Sequence, residues 1–252
     1  MRMASRLAGM AFLALGANAV ARGTSSSDMA MLLPGSPDLT GTHFTNRCTD
    51  VVRFARAAGE QVEKQAGAQR VTEASTTYRG KPAVWLITSG QSDGAWVDSA
   101  LIYRDGLAPI VESFHSGKLA ERYEYDGARV RVTHTQSDSA PVIKQHAYAT
   151  PVFSFQQLDA VIRSLPLRRG YEAVLPLYSE GDDSVEVDTV QVVSRAPDGV
   201  WQVRFADPAI VATVRVQERT RAQVGYEHTF RQAGPSWKPG MVWRQTYTAC
   251  RG

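Results

Sequence analysis

Residues 109–136 read PIVESFHSGKLAERYEYDGARVRVTHTQ. Two small-polar and glycine pairs, Ser116-Gly117 and Asp126-Gly127, cut this stretch into three runs of about eight residues. Two-residue turns containing glycine favour the primed types that match the twist of paired strands. If each pair closes a two-residue hairpin, Phe114 faces Leu119, Ile110 and Val130 both face Tyr123, and Glu121 faces Val132. Side chains alternate with period two. One face then carries Ile110, Phe114, Leu119, Tyr123, Val130 and Val132, and the other carries Ser113, Arg122, Glu124, Arg129 and Arg131. An apolar face backed by a wet one is the pattern of an antiparallel meander laid over a core.

The same rhythm extends both ways. Upstream, Arg70–Tyr78, Ala83–Thr88 and Trp96–Tyr103 read as strands, separated by Arg79-Gly80 and by a polar run from Ser89 to Gly94. Downstream, Tyr171–Tyr178, Ser184–Arg195, Val200–Phe205, Ile210–Glu218, Ala222–Phe230 and Met241–Tyr247 continue the series, with a turn at Pro197-Asp198-Gly199. One helix interrupts it. Ser154 and Gln157 form a capping-box pair, Leu158, Val161, Ile162 and Leu165 recur at helical spacing, and Pro166 stops the run. Residues 46–68 fit a helix after Asp50 or a strand ending at Gly59, and periodicity leaves both open. The expected fold is all-β and mainly antiparallel: a curved meander or open half-barrel with one short helix packed on it, in a single domain over residues 46–252.

The N-terminus is of another kind. Arg2 and Arg6 precede an uncharged apolar run, Leu7–Leu15, and small residues follow at Ala17, Ala19 and Ala21. This is the layout of a secretory signal peptide over residues 1–21, and its apolar run is shorter than the roughly 20 residues a membrane-spanning helix needs. Residues 22–45, rich in Ser, Gly, Pro and Thr, read as a flexible leader. The expected location is therefore periplasmic or extracellular. Removing residues 1–21 takes away Arg2 and Arg6 and no acid, so the formal charge falls from +3 to +1. That near-neutral balance, with signs mixed along the chain, argues against a nucleic-acid partner, which requires a basic stripe with stacking aromatics. A chain that is 43% hydrophobic with so little net charge is not disordered. Cys48 and Cys250 are candidates for one disulfide in an oxidising compartment.

From Trp96 to about Phe230 the chain resembles the exported bacterial family known as domain of unknown function 3108. The residues that carry the resemblance are Leu107-Ala108-Pro109, Tyr125-Asp126-Gly127-Ala128-Arg129-Val130, Leu165-Pro166-Leu167-Arg168-Arg169-Gly170-Tyr171, Leu175-Pro176-Leu177-Tyr178 and the strand Val185–Val193. The resemblance implies an all-β envelope protein with a curved sheet and no assigned activity. At the level of fold alone it invites comparison with half-barrel lipoprotein carriers, which cradle acyl chains. Where family members often carry a tryptophan near the end, this chain has Val214–Arg221 without one.

No established catalytic motif is present: no G-x-S-x-G elbow, HExxH, CxxC or glycine-rich phosphate loop. No cofactor is implied. In the register above Glu112 faces Glu121 with His134 diagonal to it, a constellation able to hold a divalent cation or share a proton. His134 and His146 can pair if a hairpin centres on Ala140. Trp85, Trp96, Trp201, Trp237 and Trp243 are core residues, or in part pocket walls. The leading expectation is a non-enzymatic envelope protein that binds an apolar or lipid-like ligand or an envelope partner. The alternatives are a purely structural component and a secreted hydrolase centred on Glu112, Glu121 and His134.

Overall fold

The computed structural model describes residues 29–90, 95–137, 139–180, 183–234 and 237–250. Residues 1–21, expected to form a signal peptide, lie outside them. The described residues form fifteen strands in one sheet. The first eight are β1 (Arg47–Arg56), β2 (Lys64–Tyr78), β3 (Lys81–Gly90), β4 (Trp96–Tyr103), β5 (Pro109–Ser116), β6 (Leu119–Asp126), β7 (Arg129–Gln136) and β8 (Val142–Ala147). Then come the two-residue β9 (Phe153–Ser154), a 3₁₀ turn (Phe155–Gln157) and the helix α1 (Leu158–Ser164). The chain ends with β10 (Glu172–Ser179), β11 (Ser184–Arg195), β12 (Val200–Ala206), β13 (Ile210–Gln217), β14 (Gln223–Phe230) and β15 (Val242–Ala249).

The spatial order is β8-β7-β6-β5-β4-β3-β2-β1-β15-β14-β13-β12-β11-β10-β9. The chain thus makes two meanders, joined where β1 pairs antiparallel with β15. Among the described strands every pairing is antiparallel except β9 with β10, and the isolated bridge of Met31 with Val174 is parallel too. Laid flat at about 4.8 Å per strand, the two edges of such a sheet would stand about 67 Å apart. Yet the edges β8 and β9 follow one another in sequence, and the link from Ala147 to Phe153 spans at most about 20 Å. The sheet must therefore coil until its edges are neighbours. Side chains hold that seam: Tyr178 packs on Tyr123 and Tyr125 at centroid distances of 5.8 and 6.3 Å. Across it Asp183 accepts a hydrogen bond from Lys144 Nζ at 2.7 Å, while on its own side of the seam it accepts from the Tyr178 hydroxyl at 2.7 Å.

The meander face predicted to be apolar is the inner one, and Phe114, Tyr123, Val130 and Val132 are buried on it, with Leu119 half-buried. Ile110 does not join them, because a bulge opposite Leu101 and Ile102 turns it into a cluster with Ala83, Leu101 and Val111. The register differs from expectation by two residues at both hairpins. Ser116 pairs with Leu119 and Asp126 with Arg129, so the loops are Gly117-Lys118 and Gly127-Ala128. The cause is the positive φ of Gly117 (56°) and Gly127 (58°), which a primed turn requires at its first central position. A shift of two leaves the face of every residue unchanged and alters only its partner.

Residues 46–68 resolve as strands, not a helix: β1, then a turn, then the start of β2. Residues 29–45, expected to form a flexible leader, are packed instead. Leu32, Leu39 and Phe44 are buried in the main core, Leu32 N–H donates to Val174 O, and the Gly35 and Gly106 amides bond to Gly106 O and Leu39 O. A few well-spaced apolar side chains outweigh the turn-forming composition. Cys48 and Cys250 are disulfide-bonded, with Cα atoms 5.4 Å apart, beside the β1–β15 pairing.

The helix lies inside the coil. Ala160, Val161, Ile162 and Leu165 belong to the main core, with Val84, Leu86, Ala100 and Ile102 from one meander and Val190, Val203, Val214 and Phe230 from the other. At its start, Ser154 N–H donates to Gln157 Oε1 at 3.2 Å, one half of the capping box, and Gln157 Nε2 donates to Leu107 O at 2.7 Å. At its end, Arg221 Nη1 donates to Leu165 O (2.7 Å) and Arg163 O (3.1 Å), two of the carbonyls a helix terminus leaves without partners.

Candidate functional site

Most of the space inside the coil is filled by α1. What remains is a cleft of about 180 Å³ between the first turns of the helical segment and the inner faces of β1–β4 and β12–β15. Phe155, Leu158, Val71, Phe230, Trp96 and Trp243 supply its apolar walls, and Gln69, Gln156 and Gln245 supply amides. On β14 and β15 the rings form one continuous wall. Trp243 stacks on His228 with centroids 5.7 Å apart and meets Phe230 edge-on at 5.9 Å, and the Tyr226 hydroxyl lies 2.9 Å from His228 Nδ1.

Charged groups also reach the cleft: Arg53, Glu73, Asp98, Asp159 and Arg163. Glu73 Oε1 accepts from Arg47 Nη2 at 2.6 Å and from Arg163 Nη2 at 2.7 Å, and Glu73 and Arg163 are both nearly inaccessible. Burial raises the Glu73 carboxyl to about 7 against the pull of Arg47. Burial also lowers His228 to about 4, so it is neutral at neutral pH. Asp159 has open surface on the cleft, but it sits deep in the molecule, and desolvation there raises its carboxyl to about 6. A second buried carboxyl, Asp188 on β11, is raised to about 8 by burial and by Asp207 and Glu186.

The residues singled out in sequence lie elsewhere, on β5–β7. Glu121 faces His134 directly, with Oε1 3.0 Å from Nδ1, and the Tyr123 hydroxyl donates to its Oε2 at 3.2 Å. Glu112 is buried opposite Tyr123, not opposite Glu121, because of the two-residue register shift. His146 pairs with Val130, so His134 and His146 do not oppose one another. Among the described residues no group of three or more His, Cys, Asp or Glu is placed to hold a metal ion. Of the tryptophans, Trp96 and Trp243 line the cleft, Trp201 and Trp237 are in the main core, and Trp85 packs in a smaller cluster with Leu101 and Val111. Sequence reasoning missed Glu73, Asp159 and Arg163. The available signal was a charge in phase with buried apolar neighbours: Glu73 alternates with Val71 on one strand, and Arg163 lies between Ile162 and Leu165 on the helix.

Among solved structures the chain is similar to a beta-barrel-like protein of domain of unknown function DUF1849 from Brucella abortus. The likeness has 11% sequence identity and a TM-score of 0.47, covering 82% of this chain and 98% of that one. No curated protein matches. The family model described as protein of unknown function (DUF3108) matches residues 50–224, which run from β1 through the start of β14. The chain therefore belongs to the DUF3108 family.

Proposed function

We propose that this protein is an exported, non-catalytic binding protein that takes one small, partly apolar molecule in the cleft beneath α1. The observation that carries the reading is the cleft itself, a ring-walled space with charged groups at its floor. Its volume of about 180 Å³ lies below the roughly 300–1,000 Å³ of pockets for drug-sized ligands and close to the roughly 150 Å³ of a protein cavity known to take benzene. A whole acyl chain, as in the lipoprotein carriers, would need the space that α1 fills. Export is supported by the signal-peptide layout of residues 1–21 and by the Cys48–Cys250 bond. No helix among the described residues is long and apolar enough to cross a membrane.

The test is a thermal-shift screen of small molecules against the mature chain and a blocked variant, Val71→Trp. A ligand at 100 times its Kd stabilises by about 2.7 kcal/mol. The reading predicts that such a ligand raises the Tm of the parent and leaves Val71→Trp unmoved. Equal shifts in both would remove the cleft from the account.

A second reading, a structural envelope component, is favoured by one feature. β8 is an edge strand exposed over most of its length, with Val142 and Ile143 54% and 52% accessible. Such edges recruit further strands. Concentration-dependent self-association abolished by Ile143→Lys would support that reading.

A further inference from the structure

We propose that the cleft takes a small organic cation, an alkylated ammonium group, with Asp159 as its counter-ion and Phe155, Tyr226 and Trp243 as its aromatic walls. The proposal rests on reading the cleft as a binding site and names the chemistry it selects.

Charge comes first. The lining holds two guanidiniums, Arg53 and Arg163, and three carboxyls, Glu73, Asp98 and Asp159. Glu73 is shared by Arg163 and by Arg47, whose Nη2 reaches it at 2.6 Å, so its charge is already met. Asp159 enters no salt bridge among the described residues and has the Gln223 amide as its hydrogen-bond partner. Arg163 is held by Glu73 at 2.7 Å, which ties its charge to a carboxylate at the floor. His228, uncharged at neutral pH, adds no competing cation to the wall. Asp159 is the carboxyl of this set with open surface, so an incoming group meets it first.

The walls point the same way. Cations bind over the faces of Trp, Tyr and Phe within about 6 Å of the ring centre, and such aromatic cages recognise quaternary ammonium groups. Here the rings are already positioned. Trp243 packs against the His228 and Phe230 rings, which themselves touch at 4.6 Å, and Tyr226 is fixed through its hydroxyl contact with His228. A primary ammonium brings three donors that each need an acceptor. Of the nearby amide oxygens, Gln245 Oε1 already accepts from the Tyr247 hydroxyl. An alkylated ammonium needs no acceptor and matches walls made of rings.

The test uses the mature chain at neutral pH and two probes of the same shape, choline and its uncharged isostere 3,3-dimethyl-1-butanol, titrated by calorimetry. Choline is expected to bind at least tenfold tighter. Asp159→Asn, checked for an unchanged fold by circular dichroism, is expected to erase that preference without weakening the alcohol. The two-probe comparison on the parent chain stands even if the variant does not fold. Equal or tighter binding of the alcohol by the parent, or a choline preference that survives in Asp159→Asn, overturns the cation proposal and leaves the cleft a binding site. If neither probe binds and the small-molecule screen also yields nothing, the reading of the cleft as a site fails with it.

Discussion

Asp188 sets a pH dependence that unfolding can detect. Its carboxyl, raised from 3.8 to about 8, keeps its proton in the folded chain over a range where the unfolded chain has lost it. The folded state then binds more protons, so stability falls as pH rises from about 4 to about 8. His43 and His228, both lowered to about 4, act in the opposite sense, but only below about pH 6.5. Glu73, raised to about 7, acts in the same sense as Asp188, so between about pH 7 and 8 the Asp188 effect dominates, with a slope of at most about 1.4 kcal/mol per pH unit. Chemical denaturation across that range should show the fall, and Asp188→Asn should flatten it. Gly106 makes a steric prediction. Its φ is 70°, and a Cβ there would overlap the Gly35 backbone. Gly106→Ala should cost about 2–4 kcal/mol in urea unfolding, combining the left-handed penalty with displacement of the packed N-terminal segment. The Asp105-Gly106 turn was legible in the sequence. That its glycine docks residues 29–45 was not, because nothing local in Ser, Gly and Pro composition encodes a contact made 70 residues away.

At the scale of elements, the Glu73–Arg163 pair ties α1 to β2. Removing Arg163 leaves Glu73 with Arg47 as its remaining counter-ion, so Arg163→Met should destabilise by about 1.5–3 kcal/mol, the range of a lost charged hydrogen bond. The double variant Glu73→Leu with Arg163→Met should recover a large part of that loss, since apolar replacement of a buried pair is often neutral. A thermodynamic cycle over the four proteins measures the coupling. The strands, the faces of the meander and the helix could all be read from alternation and turn chemistry, because those are local properties. The turn positions of Gly117 and Gly127 could not, since a glycine-containing pair is compatible with either placement of the two loop residues. That ambiguity carried Glu112 opposite Glu121 on paper, whereas in the fold it sits opposite Tyr123. The cleft lay beyond reach for a related reason: it is built from β1–β4, α1 and β12–β15, which only the β1–β15 pairing brings around one space.

At the scale of the whole molecule, the β1–β15 junction joins the two meanders, and the Cys48–Cys250 bond locks it. The bond closes a loop with a sequence separation of 202. The entropic model assigns roughly 5 kcal/mol to such a closure. Reduction should therefore lower Tm on the order of 10 °C while the strand signal in circular dichroism persists below the transition. The filled interior is the central claim, because it separates a carrier of long acyl chains from a receptor for one small molecule. Native mass spectrometry of the chain purified from its native cells tests it most directly. The account predicts the bare mass or a single small adduct. A diacyl lipid bound at one-to-one occupancy and lost in Val71→Trp would contradict it, since the interior holds such a guest only if α1 leaves the sheet.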